Sequence, residues 1–275
     1  MTYHAPNRLS DALEILAGGG VSLIAGGTDV YPAMAPGGPK AALLDITRVE
    51  GLRGVARSDG GWRIGAATRW SDLVRADLPP AFDGLKAAAR EVGSLQIQNA
   101  GTVAGNICNA SPAADGVPPL LTLEAEVEIA ALGGTRRVAL GDFITGVRQV
   151  ALQPGEMVVA LHLPDPPEGA VAGFSKLGAR RYLVISIAMV AAVLRLDGAG
   201  RIDHARVAVG ACSPVAKRLD ALEAGMLGLR PGEVMVRPEH LAGLAPIDDV
   251  RGSAGYRLEA VAELTGRLIR EVGHG

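Results

Sequence analysis

The sequence has only two cysteines, Cys108 and Cys212, which lie far apart and form no CxxC pair. This spacing excludes a disulfide framework, a zinc site and an iron–sulfur cluster held by this chain alone. The five histidines show no HxxxH or similar ligand spacing, so the sequence predicts no metal site. Aromatic residues make up only 3% of the chain, which leaves a flat ligand few rings to stack on.

Long apolar runs and charge runs are also missing. The longest apolar run, Tyr182–Leu194, falls short of the roughly 20 residues that span a bilayer, so we expect a buried strand and no membrane span. The net charge is −2, from 27 basic and 29 acidic residues, which does not favour a nucleic-acid partner. The first residues lack the basic and apolar pattern of a signal peptide, so we expect a cytoplasmic protein.

The length of 275 residues, with 48% hydrophobic and 20% charged residues, predicts a globular protein of two domains. The segment LSDALEILAGGG predicts a helix with Ser10 as N-cap and Gly18 at its end. Two strands around Gly133-Gly134 predict a β-hairpin. The Pro- and Gly-rich stretch PDPPEGA is the best linker candidate, so we place the domain boundary near residues 165–172.

The part of the chain after this linker predicts three strands and two amphipathic helices. The strands are GFSKLG, ISIAMVAAVLRLD and ARVAVGA, and the helices are SPVAKRLDALEAGML and SAGYRLEAVAELTGRLIREV. Strands followed by helices are typical of an α+β unit, in which helices cover one face of an antiparallel sheet.

Two glycine-rich segments carry the strongest functional signal. The first segment, AGGTDV, spans residues 25–30, and the second segment, GTVAGNICNASPAAD, spans residues 101–115. Their small side chains permit close approach of the backbone, whose N–H groups bind anions in such turns, and two facing turns would suit a diphosphate. The chain has no GxGxxG or GxxxxGK[ST] motif, so these residues alone fit either a phosphate site or ordinary strand-end turns.

Conventional catalytic residues are not predicted. Ser111 precedes a proline outside any GxSxG motif, which indicates a turn serine, and Cys108 is interpreted as a small buried residue. Asp248-Asp249 is expected in a solvated turn. The basic residues Lys176, Arg180 and Arg181 fit a solvated face better than a site.

Taken together, the motifs resemble one family. The segments LIAGGTDVYPAM and IQNAGTVAGNICNASPAADGVPPLLTLEAEVEI look like the FAD-binding subunit, or middle domain, of molybdenum hydroxylases of the xanthine dehydrogenase, carbon monoxide dehydrogenase and 4-hydroxybenzoyl-CoA reductase type. The resemblance extends to both ends of the chain, through HAPNRLSDALEILA and IDDVRGSAGYRLEAV.

The resemblance implies a fold and a set of cofactor contacts. It implies an α+β protein with a two-part FAD-binding domain of the vanillyl-alcohol-oxidase-like type at residues 1–168, with subdomains at about 1–56 and 57–168. A C-terminal domain with a three-stranded antiparallel sheet and helices would follow at residues 169–275. The implied FAD contacts are Ala25, Gly26, Gly27, Thr28, Asp29, Val30, Thr102, Ala104, Gly105, Asn106, Ser111, Asp115, Val158 and Lys176.

The resemblance also implies the role of the chain. Members of the family pass electrons from the 2Fe–2S clusters of a small subunit through FAD to an external acceptor, while a large molybdenum subunit, with molybdopterin, oxidises the substrate. A dimer of heterotrimers is the expected assembly. Two alternatives remain: a self-sufficient FAD-dependent reductase acting on a small substrate, and a scaffold that has lost its flavin.

Four positions depart from the family pattern. Ala104 stands where a glycine is common, and Gln98 stands where an arginine is common. Leu183 and Val184 replace acidic residues, and these four changes put the affinity for FAD in question. Tyr182 fits either a stacking position near the flavin or a packing role. The chain also lacks a cysteine-bearing insertion, so no 4Fe–4S cluster is expected.

Overall fold

The computed structural model describes residues 2–34 and 41–274, which begin with a small parallel sheet. Its three strands lie in the order β1-β3-β2: β1 (Tyr3–His4), β2 (Val21–Ile24) and β3 (Ala42–Asp45). Helix α1 (Leu9–Ala17) connects β1 to β2, and the short α2 (Val30–Ala33) follows β2. The first glycine-rich segment therefore begins where β2 ends, next to the buried Ile24.

Helix α1 ends as predicted but begins differently. Gly18 ends the helix, and its N–H donates to the carbonyl of Glu14 at 3.1 Å. The prediction of Ser10 as N-cap is wrong, because Arg8 is the last extended residue and the helix starts at Leu9. The hydroxyl of Ser10 instead donates to the carboxylate of Asp11 at 3.0 Å.

A second sheet contains five antiparallel strands in the order β4-β5-β10-β6-β7. These strands are β4 (Val55–Ser58), β5 (Gly61–Gly65), β6 (Glu126–Ala131), β7 (Gly134–Ala139) and β10 (Met157–Pro164). The predicted hairpin is confirmed, because Ala131 pairs with Gly134 across the turn. A separate small hairpin pairs β8 (Ile144–Gly146) with β9 (Gln149–Val150).

Helices cover the second sheet and bury its core. They are α3 (Trp70–Arg75), α4 (Asp83–Glu91), α5 (Leu95–Ala100), α6 (Val103–Asn109), α7 (Val117–Thr122) and α8 (Leu140–Phe143). Trp70, Leu85 and Ile107 are almost completely buried in one cluster with Ile64 and Leu161 of the sheet. Much of the second glycine-rich segment thus lies on α6, which packs against this hydrophobic core.

The C-terminal part is an antiparallel sheet with helices, which confirms the predicted α+β class. The sheet has four strands in chain order, β11 (Val171–Leu177), β12 (Ala188–Leu196), β13 (Ile202–Gly210) and β14 (Lys217–Arg218). Three helices accompany it: α9 (Asp220–Met226), α10 (Pro238–Leu241) and α11 (Ala254–Gly273). Between Pro164 and Val171 the chain forms neither strand nor helix, and the boundary at residue 168 stays a prediction.

Two predictions for this sheet are wrong in detail. A fourth strand, β14, replaces the start of the helix predicted from Ser213, because pairing with β13 overrides the helical pattern. The long apolar run forms a strand only from Ala188 onward. The preceding Tyr182 and Leu183 are exposed, and Leu183 has a φ of +52°, which interrupts an extended chain.

The helices and the C-terminal sheet pack tightly against each other. A Cβ added to Gly84 of α4 would lie 2.8 Å from the carbonyl oxygen of Gly173 in β11. This close approach fixes the C-terminal sheet beside α4. Within residues 2–34 and 41–274, no helix is both long and apolar enough to cross a membrane.

Arg257 of α11 connects the C-terminal helix to the loops on either side of β12 and β13. Its side chain is 3% exposed and donates to the carbonyls of Ile187 and Ala211 and to the carboxylate of Asp249, the last at 2.7 Å. The turn expected at Asp248-Asp249 is present, with Asp248 exposed, but the carboxylate of Asp249 is half-buried and accepts the N–H of Arg251 at 2.8 Å. That backbone hydrogen bond, together with the two arginines, lowers the pKa of Asp249.

We expect Arg257→Met to lower the free energy of unfolding by about 3 kcal/mol or more, since it leaves two carbonyls without their donor and removes one of the two arginines that pair with Asp249. Urea unfolding measures this loss. The control is Arg267→Met on the same helix, whose ion pair with Glu271 is more than half exposed and which should change stability by less than about 0.5 kcal/mol. Equal effects of the two substitutions would contradict this role of Arg257.

Candidate functional site

The first segment, residues 25–30, presents backbone donors at the end of β2. Gly27 has a φ of +71°, a conformation that glycine adopts without strain. The N–H groups of residues 26–29 donate no hydrogen bond to any group in the described part of the chain. Unpaired N–H groups in a tight turn form a concave site for an anion.

The second segment, residues 101–115, begins with a helix where the sequence indicated a turn. Thr102 is the N-cap of α6, and its hydroxyl accepts the N–H of Gly105 at 3.0 Å. Gly105 is exposed, whereas Ala104 is only 4% exposed and belongs to the hydrophobic core. The methyl group of Ala104 therefore points into the protein and does not cover the open face of the helix.

The structure brings the two segments into direct contact. A Cβ added to Gly26 would lie 2.1 Å from the carbonyl oxygen of Ala100, so only glycine fits there without a shift of the backbone. At the other end, the amide of Asn109 donates to the carboxylate of Asp29 at 2.9 Å. The two glycine-rich segments thus form one continuous surface of backbone donors and small side chains.

Asn106 leaves a polar atom without a partner inside this surface. Its Oδ1 is buried and accepts no hydrogen bond from the described residues. A Cβ added to Gly116 would lie 3.0 Å from this oxygen and 2.4 Å from the ring of Trp70. A buried acceptor without a donor costs free energy, which a bound hydroxyl or N–H group would recover.

Asp115 and Lys176, which the sequence analysis named separately, form a buried ion pair. The Nζ of Lys176 lies 2.6 Å from Oδ2 of Asp115, and both side chains are less than 10% exposed. The hydroxyl of Ser186 donates to the other carboxylate oxygen at 2.6 Å. Burial raises the pKa of Asp115, while Lys176 and Ser186 oppose the rise. The interpretation of Lys176 as part of a solvated face is therefore wrong.

Other expected contacts lie at the edges of this surface or inside the core. Val30 is the last residue of the first segment and begins α2. The hydroxyl of Ser111 accepts the N–H of Ala113 at 3.3 Å, as in an ordinary turn. Val158 is 5% exposed in the core of the second sheet, at a β-bulge, so no more than its backbone is available to a ligand there.

The structure shows the surroundings of three side chains whose roles the sequence left open. The side-chain amide of Gln98 donates to the carbonyl of Arg90 at 2.9 Å at the end of α4, so it is not free to bind a ligand. Tyr182 is 66% exposed, which excludes a packing role in the core, and the guanidinium of Arg181 lies over its ring. Burial raises the pKa of the Cys108 thiol to about 12, so it is not a reactive thiolate.

Sequence reasoning missed two residues at the site. Ser186 was hidden in an apolar run that predicted a strand, and no local signal marks it as a partner of Asp115. Arg148 lies at the turn between β8 and β9, and its side chain reaches the carbonyl of Asn109 at 3.3 Å. Neither residue belongs to a glycine-rich motif, so only the folded chain places them beside one.

The site suits binding better than acid–base catalysis. It offers backbone N–H groups, small side chains and one buried ion pair. Among the described residues, no group of three or more His, Cys, Asp or Glu side chains is placed to hold a metal ion. The arrangement fits an extended ligand that carries an anionic group and polar hydroxyls.

The comparisons with known families cover nearly the whole chain. Residues 1–166 match the FAD-binding domain of molybdopterin dehydrogenases, and residues 174–272 match the C-terminal domain of carbon monoxide dehydrogenase flavoproteins.

Individual proteins are similar over the same length. The xanthine dehydrogenase FAD-binding subunit of Escherichia coli O157:H7 is 33% identical over 279 residues, which cover 98% of this chain and 95% of that protein. The carbon monoxide dehydrogenase medium chain of Hydrogenophaga pseudoflava is 28% identical over 274 residues, which cover 97% and 95%. A crystal structure of a Cu,Mo-containing CO dehydrogenase superimposes with a TM-score of 0.91 at 25% identity and covers 100% of this chain and 98% of that one.

We expect Gly26→Ala to reduce flavin content and stability together, because the new methyl group would push the first segment away from Ala100. The loss of stability should be about 1–3 kcal/mol, as in other overpacked sites. Thermal unfolding and the flavin-to-protein absorbance ratio measure both effects. Gly198→Ala is the matched control, since its Cβ would meet no atom within 4 Å. Full flavin content in Gly26→Ala would count against the contact between the segments.

We expect Lys176→Met to make the free energy of unfolding depend more strongly on pH through Asp115. Because the folded-state pKa of Asp115 is already raised, losing the ammonium raises it further, and stability then falls as pH rises above the unfolded value of about 3.9. The deficit relative to wild type should be small near pH 4 and reach about 3–5 kcal/mol at pH 8.

Urea unfolding across this pH range tests the prediction for Lys176→Met. The double variant with Asp115→Asn should recover most of the lost stability, since no buried charge then remains. A deficit that is the same at every pH would show that the ion pair is not its cause.

Proposed function

The chain belongs to the family of FAD-binding domains of molybdopterin dehydrogenases, and we propose that it transfers electrons through FAD within a heteromeric molybdenum hydroxylase. The chain is an FAD-binding medium subunit of this family and thus an oxidoreductase flavoprotein subunit. The substrate that the complex oxidises would be bound by another chain.

One observation carries the proposal. The first and second segments meet along one surface, where the N–H groups of residues 26–29 remain free within the described chain and the buried Oδ1 of Asn106 lacks a donor. Free N–H groups match the oxygens of a diphosphate, and the unpaired Oδ1 matches a hydroxyl or N–H of the cofactor. The residues therefore fit FAD, although this fit does not require each of them to touch it.

We propose the following roles for these residues. Ala25 to Val30 form the first cradle of the diphosphate, and Thr102, Ala104, Gly105 and Asn106 form the second. Ser111 and Asp115 bind the polar middle of the cofactor, and Val158 and Lys176 make further contacts. Lys176 keeps a positive charge beside Asp115, and Ser186 fixes the orientation of that carboxylate.

When bound, FAD supplies the exchange of one or two electrons, and the protein supplies binding, orientation and electrostatics. The rigid core beneath α6 and α7 keeps the donors in place, so little reorganisation is needed when the charge on a bound group changes. The thiol of Cys108, whose pKa is raised to about 12, and a carboxylate already paired with lysine supply the site with no acid or nucleophile. This composition favours electron transfer over a self-sufficient reductase.

We propose that two partner subunits supply the remaining redox centres. A large subunit would carry molybdopterin and a small subunit two 2Fe–2S clusters, in a dimer of heterotrimers. Two cysteines in this chain, Cys108 and Cys212, are too few to hold a cluster with four cysteine ligands. A cytoplasmic location is part of the same proposal.

The test is the visible absorption spectrum of the purified full chain, with the released cofactor identified by chromatography. We expect about one FAD per chain, with little reduction by small substrates until the molybdenum and iron–sulfur subunits are co-expressed. Because Gly26→Ala disturbs the surface, it serves as the low-flavin reference. A colourless chain that takes up no added FAD would contradict the proposal. So would a chain that reduces small substrates at full rate without the molybdenum and iron–sulfur subunits.

A further inference from the structure

We infer that Arg148, at the turn of the β8–β9 hairpin, is a further residue of the FAD site and binds the diphosphate of the cofactor. This inference rests on the proposed function, because it names another contact of the same cofactor. Arg148 lies outside both glycine-rich segments, and it reaches them from a third part of the chain.

The turn of the β8–β9 hairpin contacts both glycine-rich segments. The backbone N–H of Arg148 donates to the carbonyl of Ala110 at 2.9 Å. Its Nη1 donates to the carbonyl of Asn109 at 3.3 Å and to the Oδ1 of the same residue. Asn109 in turn donates to Asp29, whose carboxylate lies 4.0 Å from the same Nη1. One guanidinium thus sits where the first and second segments meet.

The backbone at this junction is held in an unfavourable conformation. Arg148 has a φ of +59°, and its partner Ala110 has a φ of +47°, although neither residue is a glycine. Left-handed conformations cost free energy in residues with a Cβ and persist where surrounding contacts fix them, often at binding sites. In this conformation the Arg148 side chain reaches Asn109 of the second segment.

The charge of the two segments explains why a cation is needed. Residues 25–30 and 101–115 contain Asp29 and Asp115 and no lysine or arginine. Asp115 is neutralised by Lys176, but Asp29 is exposed at the end where the diphosphate is proposed to bind. Gln98, which stands where the family often has arginine, donates to a helix carbonyl and carries no charge. Arg148 brings a positive charge from a different loop.

The guanidinium of Arg148 has one side available for a ligand. Within the described residues, its Nη1 donates all of its hydrogen bonds, and its Nε and Nη2 donate none. The side chain is 56% exposed, so a ligand can reach it. Two parallel N–H donors on a planar fork match two oxygens of a phosphate, which an ammonium group does not.

The test compares FAD affinity of the full apo-chain with that of Arg148→Ala and Arg148→Lys, by titration of flavin fluorescence. We expect the dissociation constant to rise about ten- to a hundredfold in Arg148→Ala, the loss typical of one hydrogen-bonded charged group. Arg148→Lys should recover only part of it, because the charge returns without the fork. Arg57→Ala is the matched control, since Arg57 is 59% exposed and pairs with Asp165 on another sheet edge.

A second comparison separates direct binding from screening of Asp29. If Arg148 contacts the diphosphate, Arg148→Ala should weaken FAD binding by a similar factor in an Asp29→Asn background. A loss that disappears in that background, or an unchanged affinity in Arg148→Ala alone, would overturn the inference. A wild-type chain that binds no FAD would overturn the proposed function first, and this inference with it.

Discussion

The close contact between Gly26 and the carbonyl of Ala100 is the constraint on which the site depends. Because a Cβ at Gly26 would lie 2.1 Å from that oxygen, the first segment can approach α5 and α6 only where the side chain is absent. The contact joins the end of the parallel strand β2 to the last residue of α5. Without it, the backbone donors of the two segments would face solvent separately and could not act on one ligand.

The C-terminal part of the chain supports the end of the second segment. Lys176 of β11 and Ser186, which precedes β12, both bind the carboxylate of Asp115, and the N–H of Ala211 donates to the carbonyl of Pro112 at 2.9 Å. Arg257 holds the loops that contain Ile187 and Ala211. Through these loops the last helix supports the position of residues 111–115.

Much of the fold could be predicted from the sequence, because most elements carry local signals. The hairpin around Gly133-Gly134, the end of α1 at Gly18 and the last helix follow from turn residues and apolar periodicity. Local signals failed where a distant part of the chain decides the structure. Strand β14 forms because β13 offers it an edge, and the apolar residues before Ala188 remain exposed because Leu183 breaks the extended backbone.

The site shows the same division between local and distant information. The glycine-rich segments could be recognised because close approach requires small residues, which leave a readable pattern. Ser186 and Arg148 could not, because they are ordinary residues until folding places them near Asp115 and Asn109. Lys176 was implied as an FAD contact only by the resemblance, and its pairing with Asp115 is visible only in the folded chain.

A site built mainly from backbone N–H groups tolerates change in its side chains. Ala104 illustrates this, since its methyl group is buried in the core and the exposed face of α6 remains open. What such a site cannot tolerate is movement of the backbone itself, and it therefore needs the dense core under α6 and α7 and the buried ion pair beside it.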